Sequence, residues 1–268
     1  VESLSYVSGK RGKNGRVMTG TESLRRERLL ELFVREEIKK AVSSFNRWRF
    51  EEAMNILENV KETVRAPEIE SEIHTLLRLS NIYMKYDLFD FNGALKLVDG
   101  SIDSEVLKRY GIAKRYGKNI GMLKVLSDAQ HSSEDVLEYG VVLYANAIRR
   151  LREGRYDDCV ARLYRTIEFI EQYTLKRYYG VESSNVDMEK LYERNSAVSE
   201  FCDEIGLEDK RKVGLRDGFE LLEAMGDEIG IAFKEDENIK KLLEARNMSV
   251  LAHGFVPVKK EVAEELSG

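Results

Sequence analysis

The sequence predicts an all-α protein, and three observations carry that prediction. Proline occurs only twice in 268 residues, so little interrupts a helical hydrogen-bond ladder. Charged residues make up 34% of the chain and hydrophobic residues 43%, and the two interleave with a helical period over long runs. Ser, Thr, Gly and Pro fall where such runs begin and end.

The length allows one large or two modest domains with real cores. Cys159 and Cys202 follow neither a metal-ligand nor a disulfide spacing, so a reducing cytosol is the default compartment and unreactive thiols their default role. No apolar run approaches the ~20 residues of a membrane span, and no signal-like segment opens the chain. A cytoplasmic protein without a membrane partner is expected. The formal net charge of −5, from 43 basic and 48 acidic residues, excludes a generically basic nucleic-acid coat but leaves room for a local basic groove.

Residues 1–22 differ from all that follows. "YVSGKRGKNGRVMTGTE" sets Gly9, Gly12, Gly15 and Gly20 among Lys10, Arg11, Lys13 and Arg16. Glycine lets backbone turn sharply or approach a partner, and the cations suit an anion. A floppy tether reads equally well from this composition. The opening on Val1 reads as a piece of something longer.

Thr21 or Ser23 then caps a first helix through Phe45, with Leu24, Leu29, Leu32, Phe33, Ile38 and Val42 on its apolar side. A second begins near Glu51 and a third at Pro67. Three phrases echo one another: "RWRFEEAMNIL", "LFDFNGALKLV" and "EGRYDDCVARLY". Each has an aromatic, a polar pair and then a small residue two or three positions on, a pattern suited to the start of one helix in an antiparallel pair. Their unequal spacing argues against a regular solenoid. Ser132 or Ser133 is expected to cap a further helix that ends near Gly154. The next closes at Gly180, weaker helices follow near 196–205 and 216–230, and a last strong one spans 236–253 with Gly254 as its stop.

That last helix poses the functional question. In "EARNMSVLAHGF", residues 244–255, seven helical steps of about 100° place Arg246 and His253 on one face. Ile239, Leu242, Leu243 and Val250 share it. A buried arginine costs several kcal/mol unless paired, and the histidine would stand at the negative pole of the helix dipole. An arginine that can hold a phosphate and a histidine that can move a proton form a minimal phosphodiester-cleaving pair, with Asn247 placed to orient either. The alternative from spacing is that Arg246 pairs with an acid such as Glu168 and His253 caps the helix. Neither His74 nor His131 has a second ligand at zinc spacing, so no metal site is expected. No Walker, nucleophile-elbow or HExxH sequence occurs.

"RNMSVLAH" resembles the R-X4-6-H signature of HEPN ribonucleases, including the asparagine after the arginine. "YDDCVARLYRTIEFIEQ" is similar to the opening HEPN helices of ribonucleases from type III CRISPR systems. The first segment resembles the end of their CARF sensor domain, with Ser8 at an expected glycine. The resemblance implies a short CARF remnant (1–22), whose ligand-binding residues would be Gly9, Arg11, Arg16 and Gly20. A helical connecting domain (23–132), a HEPN domain (133–258) and a C-terminal tail (259–268) would follow, with the Rossmann-like sensor body upstream of Val1. It further implies a homodimer cleaving single-stranded RNA without metal or cofactor, activated by cyclic oligoadenylate through the sensor. The catalytic residues would be Arg246, Asn247 and His253, with Arg162, Arg165 and Glu168 in support on the neighbouring helix. Two rival readings are a catalytically idle HEPN binding module and a TPR-like helical scaffold.

Overall fold

The computed structural model describes residues 22–64, 66–98, 102–192, 194, 196–205 and 212–268. The glycine-rich segment with Gly9, Arg11, Arg16 and Gly20 lies outside them. Among the described residues the secondary structure is helical, without strands, as the sparse proline and helical periodicity require. The chain divides into two compact units, residues 1–131 and 132–268, and none of its described helices is long and apolar enough to cross a membrane.

In the first unit, α1 (Glu22–Asn46), α2 (Phe50–Lys61) and α3 (Pro67–Asp87) pack in sequence order, followed by α4 (Phe91–Val98), α5 (Ser104–Arg109) and α6 (Ala113–Ser132). Pro67 occupies the first turn of α3, where its missing N–H costs nothing. The core gathers Val34, Ile38, Ala41, Leu57, Ile73 and Leu79; burying each large aliphatic contributes about 2 kcal/mol. The buried stripe of α1 therefore runs through Val34, Ile38 and Ala41, whereas Leu32 and Phe33, expected on it, are exposed.

The three echoed phrases share one local structure. Trp48, Phe89 and Gly154 all have positive φ, each two residues before the aromatic that opens α2, α4 or α8 (Tyr156–Tyr179). In each case the next N–H reaches back five residues: Arg49 to Ser44 at 3.0 Å, Asp90 to Lys85 at 2.9 Å and Arg155 to Arg150 at 2.9 Å. This is the left-handed cap that satisfies the end of one helix and reverses the chain into the next. The small residue three places after each aromatic, Ala53, Ala94 or Cys159, is fully buried, which lets the paired helices approach.

A polar clasp fixes α5 to α3. The buried Glu72 carboxylate accepts from Arg109 at 2.8 Å and from the Tyr110 hydroxyl at 2.6 Å. Burial, then the Glu72 contact, raises the Tyr110 pKa well above its ordinary value.

The second unit comprises α7 (Glu138–Arg152), α8, α9 (Met188–Tyr192), α10 (Ser196–Ile205), α11 (Leu215–Ala224), α12 (Glu228–Glu235), α13 (Glu237–Met248) and α14 (Lys260–Ser267). Neither Ser132 nor Ser133 caps α7. Ser132 ends α6, Ser133 turns with positive φ, and α7 starts five residues later. His131 belongs to the last turn of α6. Gly226, with φ of 76°, divides the expected helix 216–230 into α11 and α12. Within residues 259–268, expected as a tail, Lys260–Ser267 form α14, whose Ala263 is buried beside Cys159, Val160, Leu163 and Leu242.

One buried acid stands apart. Glu171 on α8 is 1% exposed, its Oε1 has no hydrogen-bond partner, and it lies against Gly218 of α11, where a Cβ would come within 2.0 Å of that oxygen. Desolvation first, then the Glu168 charge, raise its pKa to about 8, against a small opposing effect of Arg165. A carboxyl with a raised folded-state pKa stabilises the fold fully below its unfolded value and loses that contribution as pH rises through about 8. We predict that Glu171→Gln melts near the wild type at pH 5 but on the order of 5 °C higher at pH 9. Thermal denaturation across that range checks it; parallel pH profiles would show that the carboxyl is not held neutral.

Candidate active site

Asp236 starts α13 by accepting the Asn238 N–H at 2.7 Å. One side chain of α13, Leu242, is buried, in the core shared with α8 and α14. The helix ends at Met248, and Ser249 turns extended, with φ −74° and ψ 156°. The expected helix to residue 253 is therefore five residues too long. His253 lies in a turn, so helical phase does not set its position relative to Arg246. Gly254 is not the helix stop, and Val250 is an exposed loop residue rather than part of a buried stripe.

Ser249 replaces the missing helical register. Its side chain is buried. Its N–H and hydroxyl both donate to the Arg246 carbonyl, at 3.1 and 2.9 Å. Its own carbonyl accepts from Ala252 and Gly254, each at 3.1 Å, the two residues flanking His253. One residue thus ties the backbone of Arg246 to the backbone on both sides of His253. The loop closes where Val256 N–H donates to the Met248 carbonyl at 3.1 Å, and Gly254 backs so closely onto that carbonyl that a Cβ would fall 1.9 Å from its oxygen. Farther on, Val258 N–H donates to both Asp157 carboxylate oxygens at 3.3 Å, pinning the loop to the first turn of α8.

The Arg246 guanidinium is half-buried, lies over the Tyr164 ring at 4.5 Å and donates to Asn247 Oδ1 at 3.0 Å. Glu168, the acid considered for it, pairs with Arg165 at 3.0 Å, and Arg165 also reaches Gln172 at 3.1 Å. Arg162 turns to α7, donating to the buried Asn146 and to Asp158. Tyr164, from within the same helix stretch, is the α8 side chain that meets Arg246. A face-on aromatic holds the cation by its quadrupole while leaving guanidinium N–H groups free for an anion. His253 and Asn247 are exposed, and around them Met248, Val250, Leu251, Phe255 and Val256 stand in solvent, Phe255 at 92% exposure.

Sequence reasoning missed Tyr164, Ser249 and the true role of Gly254. The serine and glycine stand inside the motif and signal a turn chemically; the tyrosine contact joins helices distant in sequence and has no local signal. We predict that Gly254→Ala lowers unfolding stability by about 1–3 kcal/mol, because its Cβ must displace backbone rather than a flexible side chain. Chemical denaturation measures this, and an unchanged midpoint would show that the turn yields freely.

Residues 133–268 match the family model of the Csm6 HEPN domain, and residues 33–124 match that of the Csm6 6H domain. No curated protein matches the chain. The helical pair α7–α8, the motif helix α13 and the helices that pack with them all lie inside the first match, and the chain belongs to the Csm6 family of CRISPR-associated HEPN ribonucleases.

Proposed function

We propose that this chain cleaves single-stranded RNA as a homodimer, without a metal ion, and that cyclic oligoadenylate acting through a CARF sensor domain switches it. The observation that carries this reading is the exposed apolar loop around His253. Water-facing surfaces rarely leave five large apolar side chains clustered beside a polar pair unless a partner covers them. A two-fold contact with a second copy would cover them and bring two Arg246–His253 pairs to one composite site.

The chemistry follows from the groups. The ribose 2′-hydroxyl gives its proton to a base and attacks the adjacent phosphorus. The O2′–P bond forms, the P–O5′ bond breaks, and the departing 5′-oxygen takes a proton. The products are a 2′,3′-cyclic phosphate and a free 5′-hydroxyl. His253 moves the protons, and Arg246 stabilises the charge that builds on the phosphorane. Asn247 and Tyr164 hold the guanidinium at this task, and Ser249 keeps the two functional residues in register. Imidazole and guanidinium supply what each step needs without a Lewis acid. The repeated left-handed helix caps favour, as a second reading, a partner-binding scaffold of TPR-like hairpins.

The test is cleavage of a fluorescent single-stranded RNA in EDTA, at matched protein concentration. We expect cleavage by the wild type and a loss of about 100-fold or more in His253→Ala and in Arg246→Ala, with melting temperatures unchanged. Cleavage that survives in His253→Ala would sink the assignment. An inert wild type that still binds partners would favour the idle module or the scaffold.

A further inference from the structure

Between Glu105 and Asp128 the chain carries no acidic residue, although acids outnumber bases overall. The helix α6 fills most of that interval. Its four cations, Lys114, Arg115, Lys118 and Lys124, are all exposed, and none pairs with a carboxylate among the described residues. The contrast with α1 is direct: Arg35, Lys39 and Lys40 there each hold a glutamate one turn away. At about 100° per residue the three lysines fall within one ~120° arc, and from Lys114 to Lys124 they span about 15 Å of axis.

The floor of that arc is bare. Gly117 and Gly121 lie between the lysines, and a Cβ on either would meet nothing within 4 Å among the described residues. Each glycine costs the helix about 1 kcal/mol relative to alanine, and no contact among the described residues explains it. A cationic stripe with exposed backbone along its middle fits a thin polyanion that lies close along the helix. A second copy of the same face would set lysine against lysine. An acidic protein would need a large apolar or aromatic anchor, as interface centres require, and Val125 is the one large apolar side chain exposed on that arc.

We propose that the exposed face of α6 binds the phosphate backbone of single-stranded RNA, independently of base sequence. The proposal rests on the reading that RNA is the substrate, and it adds a second contact surface, in the first compact unit. Binding and cleavage separate the two claims. The probe is a fluorescein-labelled, fully 2′-O-methylated RNA of mixed sequence, which lacks the attacking hydroxyl; its anisotropy is titrated with the full chain at several NaCl concentrations.

We expect Lys114→Ala/Lys118→Ala/Lys124→Ala to keep the wild-type melting temperature and to weaken binding about tenfold near 100 mM salt. The slope of log affinity against log salt should become shallower by about 2, from about 0.7 per lost phosphate contact on a single strand. Gly117→Ala/Gly121→Ala should melt higher yet bind more weakly, whereas glycines without a ligand role would raise the melting temperature alone. An unchanged affinity and slope in the lysine variant overturns the proposal, even if the wild type cleaves unmodified RNA normally. A changed oligomeric state with unchanged RNA binding overturns it in favour of a contact between copies. A reduced slope in a wild type that never cleaves would uphold the RNA surface while removing the nuclease reading.

Discussion

The second compact unit depends on one long helix being buried at two places along its length. The first turns of α8 enter a core with Ala147, Leu242 and Ala263, and its last turns enter another with Val198, Phe219 and Leu222; Ile167 touches both. α7, α11, α13 and α14 all pack on this one helix. Tyr164 lies on the stretch between the two cores, where α8 is held from both ends. The Arg246 guanidinium that rests on that ring therefore rests on a helix packed into a core on either side of the contact.

The helix bearing the arginine is held quite differently. Leu242 anchors α13 in the core, while Ile239, Lys240 and Leu243 line a cavity of about 650 Å³ shared with α10, α11 and α12. Few buried apolar contacts mean a low free energy of local opening. The rigidity that the site has therefore comes from backbone hydrogen bonds through Ser249, from the Asp157 carboxylate under Val258 and from the tyrosine face, rather than from packing of the motif helix itself.

Much of the architecture was legible because it is written locally. Proline at the start of α3, glycine at the end of α8 and the three aromatic phrases each act over a few residues, and the structure uses them where they stand. The phrases were visible as echoes before their common cause, a positive φ two residues upstream, could be seen; Trp48 and Phe89 adopt it without being glycine, so no residue type announces it. The candidate pair Arg246 and His253 was legible as residue types but not as geometry. Val250, Leu251 and Ala252 continue the apolar rhythm of α13, which hid the extended Ser249, and Gly254 offered a plausible but wrong stop. The role of Tyr164 needed the packing of two helices some eighty positions apart in sequence, which periodicity cannot supply.

The turn between the arginine and the histidine also bears on how such a motif tolerates change. Were both residues helical, one inserted residue would rotate the histidine about 100° away from its partner, and the spacing would be locked in phase. Here the intervening chain leaves the helix at Ser249 and comes back to the Met248 carbonyl. A residue added to or removed from that arc changes the size of a closed loop, a cost that grows only slowly with length, and leaves the direction of the helix untouched. A signature written R-X4-6-H, with a range where a helix would demand a single number, is what a loop clamped at its two ends allows.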